Sequence, residues 1–428
     1  MRAISHVIVN LRPFTRAVAA AVAMVVAFAA TTVPAQPTAP LILVSLDGWR
    51  FDYHTRAPVP NVRALMTRGV RADGLIPSFP TKTFPNHYTL VTGLYPGHHG
   101  IVANSIRDPA TGRTLTMNTR DEVADAMWWG GEPLWNTVRR AGARSASYFW
   151  PGSEAPIGGT HPDYWMPYSE RTPNEDRVDQ VLKWLDLPPA DRPRFLTLYF
   201  NDVDSAGHWY GPDSAQVVAA VERLDVVIGR LVRGLEHRGI ANDVNVVLTS
   251  DHGMVETSRR RIIVVDDLVP SADGVIVDLD PTIGVWPHPG REDAVFQRLV
   301  SAHPRLKVYR RSQTPPHWHF REHSRIPPIV GVADEGWSIL RRDRLIDAFS
   351  HTPEGIGGQH GYDPRVKNMR GLFVAAGPSF RRGATVDAFE NVHVYLALCR
   401  ALGVAPAPND GQAAVAQSLL ATRQPDRR

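Results

Sequence analysis

The 428-residue chain carries one cysteine, Cys399, so no intrachain disulfide can form. Cys399 sits in the helix-like VHVYLALCRALG and reads as a small buried apolar residue. No Lys/Arg run or basic stripe supports nucleic-acid binding. No internal repeat or low-complexity tract follows the first segment. In that segment Arg2, Arg12 and Arg16 precede the apolar run AVAAAVAMVVAFAA, and TTVPAQPTAP follows it. A basic stretch, a short apolar stretch and small residues near a cut predict a secretory signal peptide over residues 1–35, cleaved after Ala35. The apolar stretch is short and alanine-rich for an uncleaved anchor, and no cysteine stands at the cut to carry a lipid. The formal charge of +4 includes the three leader arginines and no leader acid, so the mature chain is near +1. A hydrophobic fraction of 43% allows a sizeable core.

What is present is an alternation of strand and helix signals. Apolar β-like runs fall at 41–46, 145–150, 195–200, 243–250 and 371–376. Helical patterns lie between them: PNVRALMTRG, PLWNTVRRAG and SAQVVAAVERLDVVIGRLVRGLEHRG, two opened by proline and all ended by glycine. Such alternation predicts an α/β fold with a central, mostly parallel sheet and helices on both faces. Residues 36–428 are expected to form a single catalytic domain. The stretch from about 255 to 355 breaks the rhythm, with shorter apolar runs and many Pro and His. It is expected to be an insertion folded beside the sheet as part of a substrate wall. A second excursion, roughly 104–130, carries Trp128 and Trp129 and is expected to border the cleft.

Three segments share one layout, an apolar run that stops at an aspartate: Asp47, Asp204 and Asp251. In open α/β sheets ligands bind beyond the carboxyl ends of the strands, so these aspartates are expected at one rim. His208, His252 and His360 stand beside them in GHWYGP, SDHGM and GGQHGYD. Carboxylates and imidazoles gathered in this way suit a pair of divalent, zinc-type ions. Thr83 precedes Phe84-Pro85, where Pro85 fits the first turn of a helix. There, free N–H groups and the dipole favour a phosphate. Alone, Thr83 would read as a helix cap; among six ligand candidates it reads as a metal-activated nucleophile.

The pieces LVSLDGWRFDY, PSFPTKTFPNHYTLVTGLYPGHHGIVANS, FWPGSE, YFNDVDSAGHWYGP, VVLTSDHGM, RIPPIVGVADEGW and GGQHGYDPRVKNMRGLFVAAGPSF span nearly the whole mature chain. Together they resemble the nucleotide pyrophosphatase/phosphodiesterase family of the alkaline phosphatase superfamily. The resemblance implies an alkaline phosphatase-like fold, a Thr83 nucleophile and two Zn2+ per chain. It implies one ion on Asp204, His208 and His360, and the other on Asp47, Asp251, His252 and Thr83. It also implies that Asn104 contacts a non-bridging phosphoryl oxygen and that Phe84 packs against the substrate. Tyr168 is the candidate for the opposite side of a base-stacking slot, with Tyr164 as the fallback. Lys82 reads as a solvated side chain, and His317 and His319 are left out of the ligand set. Gln359 and Pro364 depart from the family pattern but are not ligands.

The expected reaction is hydrolysis of a nucleotide-type phosphodiester through a covalent phosphothreonine. A phospholipase-C-like diesterase and a phosphomonoesterase on the same scaffold are the alternatives. A monoesterase needs extra positive groups, and no Arg beside the motifs is an obvious candidate for that role. A sulfatase lacks its C/S-x-P-x-R motif, and a silent metal- or nucleotide-binding protein would be expected to have lost a ligand. The expected partner is a small phosphodiester, with no stable membrane insertion after cleavage. Arg outnumbers Lys heavily, which together with the leader suggests a bacterial periplasmic or secreted protein. The sequence leaves the oligomeric state open.

Overall fold

The computed structural model describes residues 39–422; the expected signal peptide lies outside them. Strand β1 (Leu41–Leu46) is buried along its whole length. Successive side chains of a strand point to opposite faces, so Leu41 and Leu43 enter one core cluster while Ile42, Val44 and Leu46 enter another. Seven further strands complete the sheet: β2 (Val70–Ala72), β3 (Ser145–Tyr148), β4 (Tyr164–Trp165), β5 (Phe195–Phe200), β6 (Asn245–Thr249), β7 (Phe373–Ala376) and β8 (Ala384–Val386). Their order is β8-β2-β7-β6-β1-β5-β3-β4. Only β7 runs antiparallel to its neighbours β6 and β2; the remaining pairings are parallel. The mostly parallel sheet is as the strand-helix alternation predicts.

Helices cover both faces. On one side lie α2 (Thr83–Thr92) and α6 (Val394–Leu402), with Cys399 buried in the latter. On the other lie α1 (Pro60–Arg68), α3 (Asn174–Leu185), α4 (Asp202–Tyr210) and α5 (Ala215–His237). Helix α5 buries Val217, Val221, Leu224, Ile228, Leu231 and Leu235, the three- and four-residue spacing of a single stripe. Ser214 caps it by accepting a hydrogen bond from Val217 N–H. Helix α1 has no cap of its own at Val59. Its first turn is satisfied by buried Asp225 of α5, which accepts from Asn61 N–H, the Asn61 amide and Val62 N–H. Gly69, which ends α1, has an ordinary negative φ of −122°. Glycine is required there because an added Cβ would stand 2.3 Å from the Ala375 carbonyl oxygen.

The irregular stretch after 255 forms a separate four-stranded antiparallel sheet. Its order is Gly274–Leu279, Thr282–Pro287, Ile329–Ala333, Leu306–Arg310. Helix Glu292–Val300 contributes Val295 and Leu299 to a small core shared with Val285 and Ile329. The end of its first strand and the turn that follows reach back to the main body through Asp278 and Asp280.

Candidate active site

The parallel register sets the site. Ser45 of β1 lies level with Tyr199 of β5 and with Thr249 of β6, so the three chains leave the sheet side by side. Asp47 follows β1, Asp204 lies in the first turn of α4 just after β5, and Asp251 follows β6. Gly48 lets these segments meet: it has φ 68°, and a Cβ there would come within 2.8 Å of Asp204 Cα. His208 follows one turn after Asp204 on α4, His252 neighbours Asp251, and His360 follows strand Ile356–Gln359. Thr83 is the first residue of α2, its hydroxyl 3.4 Å from His252 Nε2.

All seven residues expected from the sequence are brought together. His252 Nε2 is 2.9 Å from Asp251 Oδ2 and 3.5 Å from Asp47 Oδ1. Asp204 Oδ1 is 3.4 Å from His208 Nε2 and 3.6 Å from His360 Nε2. The two Nε2 atoms of His208 and His360 face each other at 3.1 Å. Each of the three imidazoles has its Nδ1 at a backbone carbonyl: His208 at Gly358, His360 at Thr81 and His252 at Gly253. A carbonyl can only accept, so each Nδ1 carries a proton and each Nε2 is the nitrogen turned to the centre, the one free to ligate a cation.

The carboxylates show the same division. Tyr199 donates its hydroxyl to Asp47 Oδ2 at 2.6 Å, and Gly48 N–H donates to Asp251 Oδ1. The other oxygens, Asp47 Oδ1 and Asp251 Oδ2, are buried without a hydrogen-bond donor, as is Asp204 Oδ1. Burial and the charges of Asp251 and Asp204 push the Asp47 carboxyl well above the ordinary carboxylate range. Burial would push Asp251 up as well, but the adjacent His252 and His87 outweigh it and hold Asp251 below its usual value. Burial, with His252 and His208 nearby, holds His360 well below the usual imidazole value. Orphaned oxygens and imidazole Nε2 atoms aimed at one space are the donor set that divalent cations satisfy, so the residues fit two such ions.

Proximity alone groups His252 with Asp204 and His360, and His87 with Asp47 and Asp251. Hydrogen bonding separates them differently. His87 Nδ1 donates to the Thr83 carbonyl at 2.9 Å and its Nε2 meets Ser45 Oγ at 2.7 Å, so neither nitrogen is free. His87 positions the first turn of α2 rather than ligating. Sequence reasoning missed it, although its i+4 spacing from Thr83 on a helix was a usable signal. Asn86 was missed too. Its amide donates to the Pro80 and Lys82 carbonyls and its oxygen accepts from Ser78 N–H, fixing the loop that leads into Thr83.

Asn104 accepts from Phe84 N–H at 2.9 Å, which orients its amide NH2 away from that bond. Because Phe84 N–H is so engaged and Pro85 has none, the first-turn amide left at this helix end is that of Thr83 alone. Phe84 and Tyr168 line one cavity of about 190 Å³ together with Thr83, Asp47 and Asp204. Trp129 backs Phe84 at a ring distance of 5.8 Å, while Phe149 packs edge-on against Tyr168 at 5.2 Å. Tyr164 does not reach the cavity: its ring stacks on Trp184 and its hydroxyl donates to the Asp191 carbonyl. His317 pairs with Asp363, and His319 stacks on Tyr95.

Two expectations are corrected. Lys82 is buried, not solvated: its ammonium lies 2.6 Å from Asp278 Oδ2, which also accepts from Thr282. The insertion does not wall the cavity. Its lining comes from residues between Asp47 and Ser205, including Met117, Asn118 and Arg120 of the second excursion and Glu154 of FWPGSE. The insertion instead braces the back of the site, pairing Asp278 with Lys82 and Asp280 with Gln359 beside His360.

The fold and this donor set define an alkaline phosphatase-like hydrolase with a threonine beside a candidate metal centre. The comparisons with known proteins narrow the class. Residues 41–363 match the family described as type I phosphodiesterase / nucleotide pyrophosphatase. The chain is 36% identical over 386 residues to human ectonucleotide pyrophosphatase/phosphodiesterase family member 5, covering 90% of this chain and 79% of that protein. It is 36% identical to the bis(5'-adenosyl)-triphosphatase of Xenopus laevis, covering 90% and 82%. It is 37% identical to the venom phosphodiesterase of Naja atra, covering 87% of this chain and 44% of the venom protein. A structure of murine ectonucleotide pyrophosphatase/phosphodiesterase 5, an inactive threonine-to-alanine form in complex with AMP, superposes with a TM-score of 0.84. That pair is 35% identical and covers 90% of this chain and 100% of the murine one. The chain belongs to the type I phosphodiesterase / nucleotide pyrophosphatase family.

Proposed function

We propose that this protein hydrolyses nucleotide-type phosphodiesters and pyrophosphates through a covalent phosphothreonine at Thr83. The observation that carries the reading is the convergence, beside the Thr83 hydroxyl, of three donorless carboxylate oxygens and three imidazole Nε2 atoms. Asp204, His208 and His360 would hold one ion, and Asp47, Asp251 and His252, with Thr83, the other. Zinc is the metal we assign, from the mixed imidazole and carboxylate set. When bound, such a pair stabilises the attacking and leaving oxygens of an in-line displacement.

The chain's own groups do the rest. Thr83 Oγ forms a bond to phosphorus as the bond to the leaving oxygen breaks, and water later cleaves the resulting threonine diester. The Asn104 amide, oriented by Phe84 N–H, donates to a non-bridging oxygen. Phe84 and Tyr168 hold the base by stacking, which agrees with AMP being the ligand in the murine relative. Arg120, the one cationic side chain among the described residues lining this cavity, is already paired with Glu154, so none of these residues offers a free charge to the second negative charge of a phosphomonoester.

The names of the relatives, ectonucleotide enzymes and venom proteins, support our reading that the chain is exported, to the periplasm or the exterior. No helix of the described residues is long and apolar enough to cross a membrane.

The test is the kcat/KM ratio for an aryl phosphodiester against the matching monoester with zinc-loaded protein. A ratio far above one is expected; a ratio far below one would overturn the diesterase assignment. Running a choline phosphodiester alongside separates a nucleotide enzyme from a lipid-type one.

A further inference from the structure

The cavity beside Thr83 does not end at its aromatic slot. Glu170, Asn201 and Ser205 line it and also line a second, more open groove of about 530 Å³. That volume lies within the range of small-molecule sites, roughly 300–1,000 Å³. The groove runs over the face of α4 opposite His208, between the loop before α3 and helix α5.

Arg171 and Arg223 line the groove and are exposed, and neither guanidinium has an ion-pair or hydrogen-bond partner among the described residues. A third arginine of the lining, Arg177, is engaged, donating to the Tyr199 and Thr172 carbonyls. The two acids of the groove are occupied, Asp202 by the Asn174 amide and Glu170 by the Tyr168 hydroxyl. Trp209 of α4 also lines the groove, 50% exposed, with His351 stacked at 5.5 Å. A half-exposed tryptophan and two unpartnered guanidinium groups lining one groove offer it a stacking surface and two phosphate donors.

We propose that this groove is a second nucleotide subsite. It receives the phosphates and base of the unit that continues out of the slot past Asn201 and Ser205, so that extended substrates are held at two places. The proposal rests on the nucleotide reading of the slot. Arg171 and Arg223 supply the charge complementarity for the intervening phosphates, and Trp209 the face for the second base.

The test compares two substrates sharing one nucleotide, the p-nitrophenyl ester of AMP and diadenosine tetraphosphate, in zinc-loaded protein. In Trp209→Ala and in the double variant Arg171→Glu/Arg223→Glu, the aryl ester should keep its kcat/KM within about twofold. KM for the dinucleotide should rise about tenfold with kcat unchanged. The arginine effect should shrink with added salt. Unchanged KM for the dinucleotide in both variants would overturn the proposal, as would equal losses on both substrates in the arginine variant. Trp209→Ala could disturb α4 and its metal ligands, so the arginine variant decides between subsite and scaffold. If the wild-type protein cleaves the AMP ester no better than bis(p-nitrophenyl) phosphate, the nucleotide reading fails and this proposal falls with it. That outcome is distinguishable because it shows in the unaltered protein.

Discussion

At the scale of single residues, Thr83 should separate chemistry from metal binding. In Thr83→Ala, turnover of an aryl phosphodiester should fall by on the order of 10⁴ or more. The zinc content by atomic spectroscopy should stay near two per chain, because six other ligands remain. Substantial residual activity would remove Thr83 from the nucleophile role. Away from the site, His98 and Asp410 meet at 2.7 Å on the surface. The hydrogen bond to Asp410 lifts His98 above its ordinary 6.5. Burial pushes Asp410 upward, but bonds from His98 and Tyr95 N–H overcome it and leave Asp410 below its ordinary 3.8. A raised histidine stabilises the fold below 6.5 and loses that contribution as pH rises through its raised value. A lowered aspartate stabilises above 3.8 and loses its share as pH falls through its lowered value. The penalty of His98→Ala, measured by urea unfolding, should therefore peak between these two ordinary values. It should be only a few tenths of a kcal/mol, since both groups are partly solvated.

At the scale of elements, the first turn of α1 depends on a carboxylate 163 residues away in sequence. Asp225→Ala would leave buried N–H donors without a partner and should cost about 2 kcal/mol. Hydrogen exchange should quicken first at Val62. No local motif announces this cap, because the helix start PNVRALMTR shows only its proline. What was legible locally was periodicity: the strand runs at 41–46 and 195–200 and the stripe of α5 need only their own residues. The rim of aspartates was legible because an apolar run that ends in Asp is a contiguous pattern. Long-range partners were not. Lys82 reads as a surface lysine until the insertion brings Asp278 to it. Tyr168 is the candidate and Tyr164 the fallback from sequence, and packing decides between them, turning Tyr164 toward Trp184 and Tyr168 into the cavity.

At the scale of the molecule, the insertion is tied to the catalytic body by a buried ion pair next to the nucleophile. Asp278→Ala leaves an uncompensated ammonium on Lys82, and we expect destabilisation of about 3 kcal/mol in urea unfolding. The double change Lys82→Met/Asp278→Leu should recover most of that loss, since a buried pair contributes little over well-packed apolar groups. Additive rather than compensating losses would show that the two residues do not act as a pair.

The three donorless oxygens of Asp47, Asp204 and Asp251 bear on how this chain can change over time. Without cations the Asp47 carboxyl, buried and faced by the charges of Asp251 and Asp204, is one that folding alone has no use for, so activity and foldability pull in opposite directions at this position. Replacing Asp47 by asparagine should end catalysis while making the metal-free chain more stable. A descendant released from selection for hydrolysis would be expected to shed the Asp47 carboxylate early, leaving the sheet intact.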